Sequence, residues 1–561
     1  MKPLLLKNSY SKSVETFTPL DPSGKRVLMY SCGPTVYSFA HIGNFRSFLF
    51  ADVLRRVLER RGHLVRHVMN ITDVGHMTED HLADMSGEDK LSKAARELGS
   101  DPFSVAMHFE RAFIADAKTL RLKNHLGAEG DDPTLHPRAT RHVPEMLAMI
   151  QTLVERGFAY VVPSGEVYFE VAKFSDYGKL SGKVLDDLEA GSRVAVRDEK
   201  KDPRDFALWK VDDKHLMKWD PHSPAGWPEG DWDRYRKLAP AGIDKRIHPG
   251  FPGWHIECSA MSLAHLGERI DIHTGGEDNV FPHHECEIAQ SHGAASDPSQ
   301  PGPFARYWVH GRHLLVDGKK MSKRDGTFFT VRDLLDPRAE GREDVAKSLE
   351  AIGFAGGKVP ANVLRYALIS NAYTQPMNFT FDLLAQSKSG VERLQSRFDR
   401  LREEAMSAQH AGTLAPASPE IHALLEKQLA AFDAALADDL GTANALAAVF
   451  DLISALNQRT LSPADAFEAM RAIDAIDAVL DVLDRRLRTG VVSPQRLAVA
   501  ADEKTVAEDA IDADSIETLV RARQTAKVAK DFPRADAIRV DLKRRGVTLE
   551  DTTKGVRWKL D

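Results

Sequence analysis

Scarcity sets the first limits on this chain. Only 3 of its 561 residues are cysteine, too few for a disulfide framework at this length, and that usage fits a reducing cytoplasm. No C-x-x-C pair is among them. Each of Cys32, Cys258 and Cys286 therefore stands as core residue, ligand or nucleophile. Long apolar runs are absent too. The N-terminus offers only Leu4-Leu5-Leu6, without a signal-like cleavage region, and no stretch approaches the ~20 apolar residues that span a bilayer. No membrane is expected. An excess of positive charge is also missing: the formal net charge is −7, which argues against binding nucleic acid through overall charge. No fixed-period repeat is evident.

What remains is a globular composition, 43% hydrophobic and 28% charged, in a chain long enough for roughly three to five domains or subdomains. Charge is unevenly placed. Arg521 to Lys559 holds twelve Lys or Arg against five Asp or Glu, a net of +7 that leaves −14 elsewhere. A basic end on an acidic protein suggests a polyanion partner, and from charge alone a solvated helical face serves equally well.

The most informative stretch is Tyr30-Ser-Cys-Gly-Pro-Thr-Val-Tyr-Ser-Phe-Ala-His-Ile-Gly-Asn44. The apolar run Val27 to Tyr30 enters it as a strand and Gly33-Pro34 turns the backbone. A helical pattern of Phe45, Leu49, Val53 and Val57 leaves it and stops at Gly62. Cys32, a possible metal ligand, and His41, a possible phosphate ligand, thus fall beside the open amides of a helix N-terminus, where anions bind. Leu64 to Val68 adds a second strand, ending at Asn70-Ile-Thr-Asp73. One right-handed βαβ unit follows, with Cys32, Thr72 and Asp73 at the carboxyl ends of its strands.

Thr78 to about Lys123 is expected to be helical. Asp131 to about Asp244 behaves as an insertion: a helix over Pro144 to Arg156, strands at Tyr160 to Val162 and Val167 to Phe169, and loops rich in Trp, Pro and Gly. Within it, Lys201 to Trp209 reads as a surface turn and strand. Gly250-Phe-Pro-Gly-Trp-His-Ile-Glu-Cys-Ser-Ala-Met-Ser262 predicts a helix from near His255 to Leu266, and Arg269 to Asp278 a strand closed by Gly275-Gly276. Phe281-Pro-His-His-Glu-Cys-Glu287 opens another helix, with His283 and Glu287 four apart on one face. Strands at Trp308 to Arg312 and His313 to Val316 lead into the polar loop Asp317-Gly-Lys-Lys-Met-Ser-Lys-Arg-Asp-Gly326. From Val363 onward the pattern is almost wholly helical.

Taken together and in this order, the Tyr-Ser-Cys-Gly-Pro-Thr-Val-Tyr segment with His-Ile-Gly-Asn44, Gly-Trp-His-Ile-Glu-Cys-Ser-Ala-Met261, Phe-Pro-His-His-Glu285 and Lys-Lys-Met-Ser-Lys323 resemble the cysteinyl-tRNA synthetases, a class I aminoacyl-tRNA synthetase family. Four features depart from the family pattern. Asn44 replaces a second histidine, Arg324 follows Lys323 in place of serine, extra residues lie at about 337–358, and Cys286 stands where a polar residue is expected.

The resemblance implies an α/β fold: a Rossmann-type parallel-sheet catalytic domain (1–125 and 245–310) with a connective insertion (126–244). A stem-contact region with the Lys-Met-Ser-Lys loop (311–385), a helical bundle (386–500) and a small basic anticodon-binding domain (501–561) follow. It implies ATP-dependent attachment of L-cysteine to tRNA(Cys) through a cysteinyl-adenylate, by a cytoplasmic monomer. His41, Asn44, Lys320 and Lys323 carry catalysis. Gly43, His273, Gly275 and Gly276 join those four at ATP, which comes with Mg²⁺. Thr72, Trp254 and Asp278 line the amino-acid pocket, and Phe532 and Trp558 are base-stacking or core residues.

One zinc ion is implied on Cys32, Cys258, His283 and Glu287, a donor set zinc accepts. Ligand chemistry can then separate a thiol from a hydroxyl, which size alone separates poorly. The substrate thiolate adds as a fifth ligand or displaces Glu287. Two other readings compete: a cysteine ligase that acylates a small amino sugar, which has less use for a basic helical end, and a non-catalytic RNA-binding relative, against which His41, Lys320 and Lys323 argue.

Overall fold

The computed structural model describes residues 2–79, 86–123, 135–183, 199–297, 302–322, 326–409, 416–485, 489–492, 494–501, 503, 506–507, 512–552 and 555–560. It divides into two compact units, Met1–Ser387 with Asp433–Ala445, and Lys388–Phe432 with Leu446–Asp561.

The first unit is organised by strand β1 (Arg26–Ser31), helix α1 (Ile42–Arg60) and strand β2 (Leu64–Met69), the βαβ unit expected from the apolar pattern. Phe45, Leu49, Val53 and Val57 are all buried on α1, which ends as Gly62 takes φ +92°, a conformation that glycine adopts without steric cost. Helix α2 (Trp254–Leu266), strand β3 (Ile270–Gly276), helix α3 (Glu285–Ala294) and strand β4 (Ala305–Gly311) complete the parallel-sheet core. The sheet is wholly parallel in the order β4-β3-β1-β2, with His273 opposite Tyr30 and Thr274 opposite Ser31. The connection from β1 runs to β2 on one side, and β3 returns on the other. The gap between β1 and β3 is therefore a topological switch point, the place where α/β sheets open a ligand crevice at their carboxyl ends.

The insertion has the predicted helix, Val143–Glu155, and the predicted hairpin, Ala159–Val161 with Val167–Phe169. The expected surface strand near Trp209 is different: Phe206–Lys210 is buried at every position and lies inside a four-stranded sheet that Phe251–Pro252 completes at one edge. Its run Phe-Ala-Leu-Trp lacks the alternation of a half-exposed strand because both faces are covered. The insertion also shares its apolar core with the parallel sheet, since Leu147, Phe206 and Trp209 cluster with Tyr30, Val68, Cys258 and Trp308.

Two further expectations need correction. The segment after Thr78 is not purely helical, because Met77–Glu79 and Ser86–Asp89 pair as antiparallel strands before helices Lys90–Leu98 and Pro102–Thr119 begin. The chain beyond Val363 is not almost wholly helical either. Met377–Phe379 pairs with Leu314–Val316 in the first unit. In the second unit Thr489–Val492, Gly555–Leu560 and Val547–Thr552 form a three-stranded antiparallel sheet beside helices Ala513–Val528 and Phe532–Arg544. Exposed Arg557 and Lys559 interrupt the apolar pattern of Gly555–Leu560, and exposed Glu550 and Asp551 that of Val547–Thr552. The extra segment near 337–358 folds as the short helix Glu343–Ala351 with its flanking turns.

Candidate active site

Cys32 follows β1 directly, Cys258 stands in the first turns of α2, and His283 and Glu287 come from the segment that opens α3. The parallel sheet brings these sequence-distant positions together. Cys32 Sγ lies 3.8 Å from Cys258 Sγ and 3.7 Å from Glu287 Oε1. His283 Nε2 lies 3.4 Å from Cys258 Sγ and 3.0 Å from Glu287 Oε1. The four donor atoms all fall within 4.8 Å of one another. A tetrahedral ion with N, O and S ligands at ~2.0–2.3 Å has ligand–ligand edges of roughly 3.3–3.8 Å, so the set is already near that spacing.

Its electrostatics ask for a cation. Burial opposes the charge of Glu287, but the rings of His273 and His283 hold its carboxyl down at about 2. Burial likewise disfavours an imidazolium at His283, and Cys258 and Glu287 beside it nevertheless raise it to about 10. Burial pushes Cys258 up, and its hydrogen bond with Cys32 together with His283 brings it down to about 6. Anionic sulfur and carboxylate buried together are costly without a positive partner.

A second group overlaps the first. Cys32, His273, His284 and Glu287 also place four donor atoms within 4.8 Å. His273 Nε2 lies 2.8 Å from Glu287 Oε2, and His284 joins Cys32 Sγ at 3.1 Å to His310 at 2.7 Å. Burial first, then His273 and His310, drive His284 well below the usual imidazole range, so its ring is neutral.

The two signature segments meet at the N-terminus of α1. His41 caps α1: its Nδ1 accepts from the Asn44 N–H at 3.1 Å, and the His41 N–H donates to Asn44 Oδ1 at 3.1 Å. With Nδ1 an acceptor, the neutral ring carries its proton on Nε2. Asn44 closes the capping box through its side-chain oxygen. Gly43 is packed so closely that a Cβ there would sit 2.8 Å from Met321 Cε, which puts the Lys-Met-Ser segment directly over the helix start. Ile42 N–H donates to Phe329 O at 3.0 Å, and the His41 ring meets Phe328 edge-on at 5.4 Å. Lys320 is exposed on the hairpin strand Lys319–Lys320. Lys323 lies outside the described residues.

Residues 18–233 and 232–389 match the family model of the tRNA synthetases class I (C) catalytic domain. Residues 431–484 match the DALR domain and 513–558 the cysteinyl-tRNA ligase anticodon binding domain. The cysteine–tRNA ligase of Salinibacter ruber is 40% identical over 566 residues, covering 99% of this chain and 97% of that one. The chain belongs to the cysteinyl-tRNA synthetase family. Its relative from Symbiobacterium thermophilum, again a cysteine–tRNA ligase, is 40% identical over 558 residues, 98% of each chain. The class I synthetase fold is repeated in the Agrobacterium radiobacter K84 LeuRS complex with tRNA and LeuAMS, at 12% identity and a TM-score of 0.52 over 83% of this chain and 85% of that one.

Within this synthetase fold, the remaining expected site residues are placed as follows. Trp254 is half-buried and stacked between His76, at 4.3 Å, and His283, at 4.1 Å. Thr72 is buried and donates its hydroxyl to Glu257 Oε2 at 2.9 Å. Asp278 is exposed just past β3. His273 is fully buried, hydrogen-bonds Glu287 and stacks on Trp308 at 4.5 Å. The space over Gly275 is filled by His284, whose Cε1 would lie 2.6 Å from a Cβ there.

Sequence reasoning missed His284, His76 and Glu257. His284 had a signal, standing beside His283 and three residues before Glu287, within reach on one helix face. Glu257 adjoins Cys258, with its carboxyl pushed well up by burial and then by Cys258. Cys286, left open by the sequence, is a buried thiol 3.3 Å from the Tyr177 hydroxyl and points away from the donor set into the insertion's core.

Proposed function

We propose that the protein attaches L-cysteine to tRNA(Cys) in two steps, activation with ATP to cysteinyl-adenylate and transfer to the terminal ribose of the tRNA. The observation that carries this reading is a largely buried donor set, two thiols with one imidazole and one carboxylate, whose Cys32 opens the β1–α1 connection that ends where His41 and Gly43 meet the Lys-Met-Ser segment.

Cys32, Cys258, His283 and Glu287 would hold one zinc ion, and their spacing and charge fit it. Zinc bound there supplies a Lewis acid that takes a deprotonated thiol strongly and a neutral hydroxyl poorly, so serine is refused by ligand chemistry. His273 keeps Glu287 ionised and aimed through its hydrogen bond at 2.8 Å. Trp254, Thr72 and Asp278 line the amino-acid pocket, with Trp254 held rigid between two imidazoles.

The cysteine carboxylate attacks the α-phosphate and pyrophosphate leaves, so catalysis rests on positioning and on meeting charge that grows on phosphate oxygens. His41 donates from Nε2 and Asn44 from its side-chain NH2, with the positive end of the α1 dipole behind them. Gly43 and Gly276 allow the backbone to approach the nucleotide. Lys320 and Lys323 neutralise the β and γ phosphates, and Mg²⁺ enters with ATP. In the second unit the basic small domain meets the tRNA. Phe532, 61% exposed, offers a ring for stacking on an unpaired base, whereas Trp558 is 0% exposed and belongs to the core.

The test is attachment of labelled cysteine to total tRNA by the purified protein with ATP and Mg²⁺, with zinc content measured in parallel. Charged tRNA is expected, and Cys258→Ser is expected to lose both zinc and charging. Cysteine-dependent pyrophosphate exchange without charged tRNA would instead establish the small-acceptor ligase.

A further inference from the structure

The second unit contains a cavity of ≈ 410 Å³ that the chemistry above does not use. Arg393, Arg397 and Arg400 line it from one helix, Phe381–Gln409, at a spacing of four and three residues that sets all three on one face. Ser396 and Asn457 add a hydroxyl and an amide, and Glu392 is the carboxylate of the lining. Arg393 and Arg400 are exposed at the rim, and the Arg393 guanidinium rests on the Phe450 ring at 4.8 Å.

Arg397 is the unusual member. It is only 5% exposed, and its Nε and Nη2 make no hydrogen bond. The neighbouring carboxylate of Glu404 stands 3.7 Å away, beyond hydrogen-bond distance. Arg397 is thus held by an ion pair with Glu404 but lacks a hydrogen-bond acceptor at two of its buried nitrogens, which leaves it under-satisfied. Its side chain lines a cavity that two more guanidiniums share, a grouping of donors that suits a phosphate.

We propose that this cavity binds a backbone phosphate of the RNA substrate, with Arg397 as the buried ligand and Arg393 and Arg400 as rim contacts. This rests on the tRNA-charging reading and adds a site to it. The lining offers no aromatic face to a base, so the contact positions the RNA without reading its sequence.

The experiment measures tRNA binding by the full-length protein at several salt concentrations, for the wild type, Arg397→Gln, the rim pair Arg393→Gln with Arg400→Gln, and Glu392→Gln. Neutralising one phosphate-contacting arginine should lower the salt slope by about 1. The rim pair, on exposed side chains, should fold normally, lose several-fold in affinity at low salt and show the reduced slope. Glu392→Gln should bind tighter. Cysteine-dependent pyrophosphate exchange should stay at the wild-type rate in all of them. Wild-type affinity and slope in both arginine variants would overturn the inference, as would inorganic phosphate that binds wild type but not Arg397→Gln while tRNA binding is unchanged. Absence of any tRNA binding by the wild type would overturn the underlying reading instead.

Discussion

His41 shows how much one side chain settles. As N-cap of α1 it accepts the Asn44 amide through Nδ1, and that bond assigns the ring proton to Nε2. The cap and the proposed phosphate donor are thus the same imidazole, used from opposite edges. The two roles separate experimentally. His41→Asn keeps a good capping residue and stability within about 1 kcal/mol, yet removes the ring donor. The expected result is a fall of about 10²–10³ in the rate of cysteine-dependent pyrophosphate exchange, by analogy with loss of a preorganised donor to a charge-developing oxygen, with an unchanged thermal midpoint. Wild-type exchange in this variant would remove His41 from the mechanism.

At the scale of elements, α1 is anchored by an ion network that no motif announces. Asp52, 2% exposed, accepts from Arg365 Nη2 at 2.6 Å and Arg56 Nε at 2.8 Å, and takes the Lys123 N–H on its other oxygen at 2.8 Å. Arg365, fully buried on the helix Ala361–Ile369, also donates to Leu120 O at 2.9 Å. Breaking such a pair leaves a buried guanidinium uncompensated and costs about 3–5 kcal/mol. Burial opposes the Asp52 charge, but Arg365 and Arg56 hold its pKa below the ordinary 3.8. A depressed carboxyl contributes stability that is fully present above its unfolded pKa and is lost as pH falls through the folded one. Asp52→Asn should therefore have a lower urea midpoint than wild type near pH 7, and the gap should narrow once pH falls below about 4. A constant gap across that range would show that Asp52 does not act through its charge.

For the whole molecule the useful fact is that the small C-terminal domain has its own core. Val492, Ile516, Leu519, Leu542 and Trp558 form a cluster apart from the one that joins the insertion to the parallel sheet. Trp558→Ala removes the largest member of that core, at a cost of about 3–5 kcal/mol, enough to unfold a domain of that size. Activation and tRNA charging should then part. Pyrophosphate exchange stays near wild type because its residues belong to the first unit, while charging of tRNA falls by at least tenfold. Parallel loss of both activities would mean that the two units are not energetically separable.

Local pattern and side-chain chemistry, both written in the chain, were enough for the strand-helix-strand start, the helix at Trp254–Leu266, the strand ending at Gly275-Gly276 and the residue types able to hold a metal. Each depends on periodicity or donor chemistry within one segment, and so does the four-residue spacing of His283 and Glu287. Where long-range packing ruled, pattern misled or was silent. Phe206–Lys210 became a central strand because two other elements cover it, and the strands at Val547–Thr552 and Gly555–Leu560 carry exposed charges that break their apolar pattern. His273 hydrogen-bonds Glu287, a partner that local sequence does not name. Composition alone determined that no span of membrane length occurs and that three cysteines make no disulfide framework. Only the tertiary structure decided which histidines face the cysteines, because parallel pairing sets Thr274 beside Ser31, 243 positions earlier in the chain.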